Sequence, residues 1–385
     1  MSEKKFWLAT LSGLAVVTLV MGFFANQYYL EKRIEEVSGR LLLLSNLRRE
    51  ALQRYLDTAE AELNFWSANR KLIVAQTYFR DRWQEVEAEG QNPEAIIRKL
   101  YRDDNPYPQG QRSKYDDAGD GSTYSLLHGL LHAMTVQFVD KRGYYDFFLI
   151  DPAGNIGYSV EKEDDYGSNL LTGPWKDTGL ADVFRRALAA ADQGEVVFSN
   201  MEHYGPSAGA PALFMARAMH EDDGSLLGVI AFQLPTDRIV QIMNFDAGMG
   251  RTGETYLVGD DLLMRSNSRF SEVSTILEAR VDTATVRRAL QGEYGVAFTR
   301  DYRGVDVLSA YSSAEIDQHT WAVMAEVDRA EILESAAGNR PMLTGLMLFF
   351  YGLGVGSIWL VRRPEDAAPM GMLADLDGGV DLGDA

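Results

Sequence analysis

The sequence predicts an α+β fold set between two membrane-spanning helices, and three observations point there. Apolar runs of about twenty residues stand near both ends of the chain, a long helical stripe follows the first run, and two hairpin-helix-sheet units succeed one another in between.

The apolar runs are Phe6 to Phe24 and Met342 to Val361. Each has the length of a helix that crosses a hydrocarbon core. The first exceeds the roughly 7 to 15 apolar residues of a signal peptide, and no small-residue cleavage site precedes Asn26 or Gln27, so it reads as a retained anchor. Lys4 and Lys5 precede the first run and Arg362 and Arg363 follow the second, which places both termini in the cytoplasm and residues 26 to 340 outside it.

From Leu30 the apolar residues fall at Ile34, Val37, Leu41 and Leu44, then at Leu52, Tyr55, Ala59, Leu63 and Trp66, with a break near Arg48 and Arg49. That 4-3-4-3 spacing marks a long helix with one packed seam, which either packs on its own domain alone or also forms part of a homodimer seam. After a polar, Gly/Pro-punctuated loop, "LLHGLLHAMTVQFV" resumes the helical period, and "YYDFFLIDPAGNIGYSV" then changes it to strand, turn at Pro152 to Asn155, strand. "LADVFRRALAAA" is a short amphipathic helix, and "GEVVFSNMEHY", "ALFMARAMH" and "LLGVIAFQL" are β-rich runs. The order then repeats: "GETYLVGDDLLMRS" is a second hairpin, "VDTATVRRALQG" a helix, and "GVAFTRDYRGVDVLSAYSS" and "TWAVMAEV" further strands.

The expected organisation is a cytoplasmic start at 1–5, a first span at 6–25, the long helix with a helical and loop region at 26–140, one α+β lobe at 141–245 and a smaller one at 246–335. A second span follows at 342–361, and an acidic, disordered cytoplasmic tail at 362–385. A net charge of −19 argues against nucleic acid as a partner, which requires a basic face. The absence of cysteine excludes disulfides, thiolate metal sites and cysteine nucleophiles. No G-x-S-x-G, P-loop or dinucleotide fingerprint occurs in a matching context, and no carboxylate pair is singled out, so the chain reads as a non-enzyme without cofactor.

The segments "NPYPQGQRSKYDDAGDGSTYS", "RGYYDFFLIDPAGNIGYSVEKEDDYGSNLLTGPWKD", "GAPALFMARAM", "GVIAFQLPTDRI" and "GETYLVGDDLLMRSNSRF" resemble the double Cache extracytoplasmic sensor domains of bacterial methyl-accepting chemotaxis receptors over about residues 25 to 340. The resemblance implies tandem PAS-like lobes behind a long N-terminal helix, with a membrane-distal lobe at 141–245 that holds a small-molecule ligand and a membrane-proximal lobe at 246–335. It also implies an inner-membrane protein with its sensor in the periplasm or outside the cell. Such receptors continue past the second span into a signalling region, whereas few residues follow Val361 here. The expected output therefore runs through a separate cytoplasmic partner. The alternatives are a ligand-free structural protein partnering a full-length receptor, or a solute-binding module that does not signal.

The insertion "EKEDDYGSNLLTGPW" mixes polar, charged and aromatic residues in a way no plain strand does. A pocket for a small polar solute needs a few convergent hydrogen-bonding groups and an aromatic wall. Lys162, Asp165, Tyr166, Asn169 and Trp175 are its candidates, together with Tyr158 on the preceding strand and Asn200 and Tyr204 in "SNMEHYGPSAGAP". Amino-acid-binding members of the resembling family carry Arg-x-Trp-Tyr at this point. Here Thr172, Gly173 and Pro174 precede Trp175, which turns expectation away from an amino acid. His128 and His132 stand at i and i+4 on one helix face; no HExxH is formed, and they are read as packing or pocket-lining residues rather than as a metal site. Gly352-x-x-x-Gly356 reads as a helix-packing face.

Overall fold

A computed structural model of the chain describes residues 3–244, 248–338 and 340–361. The tail at 362–385 and its arginines lie outside the described residues. Two compact units separate: residues 1–35 with 333–385, and residues 36–332.

In the first unit lie the apolar part of α1 (Glu3–Ser67) and α9 (Arg340–Val361). Among the described residues, two helical stretches are long and apolar enough to cross a membrane by length and composition, one within Lys5–Ser67 and one within Arg329–Leu360. Leu19, Phe23 and Phe24 on the first and Leu348 and Phe349 on the second are exposed. The glycine of α9 that lies against α1 is Gly354, under Leu14, while Gly352 and Gly356 face open space among the described residues. The predicted glycine pair is therefore not a packing face within this chain.

In the second unit, α1 runs through Arg48 and Arg49 without interruption. The expected break in the stripe is filled by Ser45, which is buried and hydrogen-bonded to Ser312 Oγ (2.9 Å) and Val323 O (3.2 Å). A polar residue at a seam position interrupts the apolar period without interrupting the helix. The buried line then continues through Leu52, Leu56, Ala59, Leu63 and Trp66. Two helices follow that the sequence pattern did not resolve, α2 (Arg70–Ala88), capped by Asn69, and α3 (Pro93–Arg98), capped by Asn92. Helix α4 (Thr123–Arg142) starts at Ser122, whose hydroxyl accepts from Ser125 N. It stops at Gly143, whose φ of 74° is the left-handed C-cap that glycine enters freely.

The first sheet is antiparallel, with order β2-β1-β6-β5-β3 and β4 added on β5. Its strands are β1 (Asp146–Ile150), β2 (Ile156–Ser159), β3 (Val197–Phe198), β4 (Glu202–Tyr204), β5 (Ala210–His220) and β6 (Leu226–Leu234). One face, with Phe147, Leu149, Tyr158, Met215 and Phe232, packs into a core shared with α1, α2 and α4. The other, with Phe148, Ile150, Phe214 and Ala231, is covered by α5 (Gly179–Ala189). Helix α6 (Thr236–Met243) leads to the second sheet, order β7-β10-β9-β8, made of β7 (Glu254–Val258), β8 (Gly295–Arg300), β9 (Asp306–Ile316) and β10 (His319–Asp328). Helix α7 (Ala284–Leu290) covers one face of it, and α8 (Arg329–Ala337) follows β10.

The two sheets share one strand order, β1-β6-β5-β3 matching β7-β10-β9-β8. The expected second hairpin differs: the run after the Gly-Asp-Asp turn is not a strand but is held by single bridges, Val258 to Met264 and Leu263 to Arg280. The backbone there is diverted because Leu262 turns to φ 68° and Met264 N donates to Ala279 O (3.0 Å).

Candidate functional site

The strand sequence "DFFLI" alternates faces, so Asp146 shares the α5 side of the first sheet with Phe148 and Ile150. Its cross-strand partner in register is Gln233 on β6. Both are buried. Asp146 Oδ1 accepts three backbone N–H groups, from Phe147 (2.7 Å), Val160 (2.8 Å) and Glu161 (3.1 Å), and so fixes where the chain leaves β2. The insertion then brings Asp165 to the same side, where Tyr204 donates to its Oδ2 (2.6 Å) and packs its ring on Phe214 at 4.8 Å. Glu163 is closed off by Ser207 (2.6 Å) and Tyr145 (2.9 Å), and Gln233 Nε2 donates to Ser207 Oγ (3.2 Å). The Pro-rich loop reaches over this group, with Gln109 donating to Pro206 O (2.9 Å).

Among the described residues, Asp146 Oδ2, Asp165 Oδ1 and Gln233 Oε1 are buried without a hydrogen-bond partner. The amide oxygen is an acceptor, and so are the two carboxyl oxygens when ionised. Unmade hydrogen bonds of this kind cost about 1–3 kcal/mol each, more when charged. Burial pushes the Asp146 carboxyl well above the usual carboxylate range, and Glu161 and Asp165 add to the shift. Burial likewise raises Asp165 to about 7, against the hydrogen bond from Tyr204 and with help from Glu163. Chemically, the arrangement can accept hydrogen bonds from a donor group, and positive charge beside it would favour the ionised carboxyls.

The sign of the Asp165 shift gives a prediction. In the folded chain Asp165 titrates near 7, whereas an unfolded aspartate titrates near ~3.9. Between those limits the folded state holds the extra proton, so stability rises as pH falls from 7 toward 4, by at most about 1.4 kcal/mol per pH unit. Asp165→Asn removes this slope and keeps an acceptor for Tyr204. Urea unfolding at pH 5 and pH 7 should therefore show the wild type gaining more than the variant on acidification; equal gains would mean that Asp165 stays ionised in the fold.

The candidate residues divide. Asp165 and Tyr204 meet on the α5 side. Tyr158, His132 and Lys162 form a separate buried group on the opposite face, where His132 Nδ1 meets Tyr158 OH (2.7 Å) and its Nε2 meets Ser113 O (2.7 Å) and Lys162 Nζ (3.0 Å). Burial lowers Lys162 to about 7, and burial with the Lys162 charge lowers His132 to about 3. His128 binds Asp116 O through Nδ1 (2.6 Å), which leaves its Nε2 as the one imidazole nitrogen of this histidine pair without a partner among the described residues. Tyr166 also faces away, bonded to Tyr124 OH (2.6 Å). Asn169 closes its own turn through Leu171 N and Thr172 N. Trp175 is half-buried, with its indole N–H on Asp164 O (3.2 Å). Asn200 joins the second sheet region through Asp260 (3.2 Å) and Arg265 (3.2 Å). The sequence reading missed Asp146 and Gln233. Their signal is a lone polar residue in each of two apolar strands, at positions that pair.

A family model described as the Cache domain matches residues 25–336. Among solved structures, the extracellular domain vpHK1S-Z8, ascribed to a histidine kinase, is similar at 12% identity and a TM-score of 0.50, covering 82% of this chain and 99% of that one. The ligand-binding domain of the Pseudomonas aeruginosa PAO1 amino acid chemoreceptor PctC, in complex with GABA, is similar at 16% identity and a TM-score of 0.36, over 67% of this chain and 96% of that one. The periplasmic sensory domain of the Campylobacter jejuni chemoreceptor Tlp1 is similar at 13% identity and a TM-score of 0.39, over 72% and 98%. At 12% identity the likeness to the first of these speaks to fold alone. No curated protein matches the chain.

Proposed function

The chain belongs to the Cache domain family over residues 25–336, and from that premise we propose that it is a membrane-anchored sensor that binds a small, hydrogen-bond-donating, positively charged solute outside the cytoplasm. The observation that carries this reading is the set of buried acceptors without partners on the α5 side of the first sheet, Asp146 Oδ2, Asp165 Oδ1 and Gln233 Oε1. An amine satisfies them in one step; a carboxylate solute meets like charge. In this reading α1 and α9 supply the two spans, the first sheet is the membrane-distal lobe and the second the membrane-proximal one. The chain acts as a homodimer in the inner membrane, and a cytoplasmic partner receives the signal. Binding is the whole of the chemistry, with no catalytic step.

The test is thermal unfolding of the detergent-solubilised full chain against a panel of primary amines, amino acids and carboxylates. A ligand selective for the folded state adds about 2.7 kcal/mol at 100 times its dissociation constant, so an amine that binds raises the melting temperature. Asp146→Asn and Asp165→Asn should each weaken it about tenfold or more, which is roughly 1.4 kcal/mol. A panel without any shift, or a shift that both variants keep, overturns the assignment.

A further inference from the structure

The repeat that relates the two sheets carries the polar pair of the first into the second. Asp146, the first residue of β1, pairs with Gln233 on β6; Glu254, the first residue of β7, pairs with Glu326 on β10. Both glutamates lie on the α7 side of the second sheet, as Asp146 and Gln233 lie on the α5 side of the first. Asp301, in the turn after β8, completes a group in which one oxygen of each residue lies within 4.8 Å of the others. Glu254 and Glu326 are 1% exposed and Asp301 5%.

Like charges directly opposite each other across an antiparallel pair destabilise a sheet, and more so when water is excluded. Arg303 offsets part of this charge, through its ion pair with Asp301 and its field at Glu254, and leaves Glu326 without a cation of its own among the described residues. Arg303 spends its donors on Asp301 Oδ2 (2.7 Å) and Asp328 Oδ1 (2.8 Å). Neutral donors occupy part of the group: Tyr302 and Ser268 reach Glu254 (2.8 and 3.0 Å), Tyr256 reaches Glu326 Oε2 (3.0 Å), and Asp301 Oδ1 takes the N–H groups of Arg303 and Val305 (both 2.9 Å). Glu326 Oε1 remains buried without a hydrogen-bond partner among the described residues. Ser309, across the ladder from it, donates its hydroxyl to Thr285 Oγ1 (3.2 Å) and also lies close enough to the Glu326 carboxyl to favour its charged form.

We propose that Glu254, Asp301 and Glu326 form a divalent-cation site in the second sheet, with Glu326 Oε1 as an open ligand position. The donors are all oxygens, which select a hard cation. Calcium is the better fit, because its irregular coordination by 6–8 oxygens tolerates ligands already shared with hydroxyl and backbone donors, whereas magnesium demands near-octahedral geometry. The proposal does not depend on a solute in the first sheet.

Calcium chloride and magnesium chloride are titrated into the chelator-treated full chain, with melting temperature and calorimetric binding as readouts. The expected result is a saturable rise in melting temperature with calcium and a tight site of one ion per chain. Glu326→Gln and Glu254→Gln should each weaken that site at least tenfold. Both variants keep the hydroxyl contacts and remove a like charge, so without metal they should melt no lower than the wild type; if one fails to fold, the other carries the test. Magnesium acting as well as calcium, with the same loss in the variants, still supports the site. No metal effect in the wild type overturns it, and so does an equal effect in wild type and variants, since the ions then bind elsewhere on an acidic surface.

Discussion

Trp66→Ala is expected to lower the unfolding free energy by about 3–5 kcal/mol, the range for removing a buried aromatic side chain, whereas Phe65→Ala one residue earlier should change it by about 0.5 kcal/mol or less. Trp66 is 6% exposed and Phe65 66%. The indole closes the α1 seam against Phe138 of α4 (centroids 4.8 Å apart) and Phe147 of β1 (5.7 Å). Edge-to-face and tilted aromatic pairs add to the area they bury, and a cavity here is walled by ring systems that cannot collapse into it. Chemical denaturation of the solubilised chain compares the two variants. Similar losses would show that α1 does not present Trp66 to the core.

Arg265→Ala should cost about 2–5 kcal/mol, comparable to truncating a large side chain inside a core. Arg265 is 0% exposed and both terminal nitrogens are engaged: Nη1 donates to Leu263 O (3.0 Å), and Nη2 to Asp261 Oδ2 (2.8 Å) and Asn200 Oδ1 (3.2 Å). The guanidinium carbon also lies 5.9 Å from the Trp321 ring centroid. Arg265→Lys does not restore this, because an ammonium has no planar fork. Gly259 is packed so closely that a Cβ there would overlap the guanidinium, and Gly259→Ala should cost about 1–3 kcal/mol as an overpacked position. The two changes share one cause, so the double variant should be no worse than Arg265→Ala alone. Additive losses would refute the shared cause.

The legible parts of this fold are those in which a local pattern has one structural solution. The turn at Pro152 to Asn155 can only close β1 on β2, and the strand-helix-strand order repeats in the same sequence of periods in both halves. The site is less legible because an alternating pattern gives two faces without saying which is which. Tyr158 lies opposite Leu149 in the ladder, so it falls on the face packed against α1, α2 and α4, with His132. Asp165 and Tyr166 are adjacent in an irregular segment, so their side chains part to opposite faces of the sheet. Asn200 is drawn away by Arg265, a partner 65 residues further on that no local signal connects to it. The unbroken α1 teaches the converse, since Ser45 looks like a defect in a stripe until Ser312 is seen opposite it.

The half-buried placement of Trp175 also makes the first sheet optically addressable. Its ring rests over Gly205, next to Tyr204, and its N–H is held by the carbonyl beside Asp165. Indole emission follows the dipoles and water around the ring, so a cation bound at the proposed site beside Asp165 is expected to shift the spectrum of this fluorophore. Trp66, Trp83 and Trp321 are shielded in the core, and Trp7 and Trp359 sit on the apolar end helices. Their emission is expected to form a steady background, with Trp175 supplying the part of the intrinsic fluorescence that a solute at the proposed site would change.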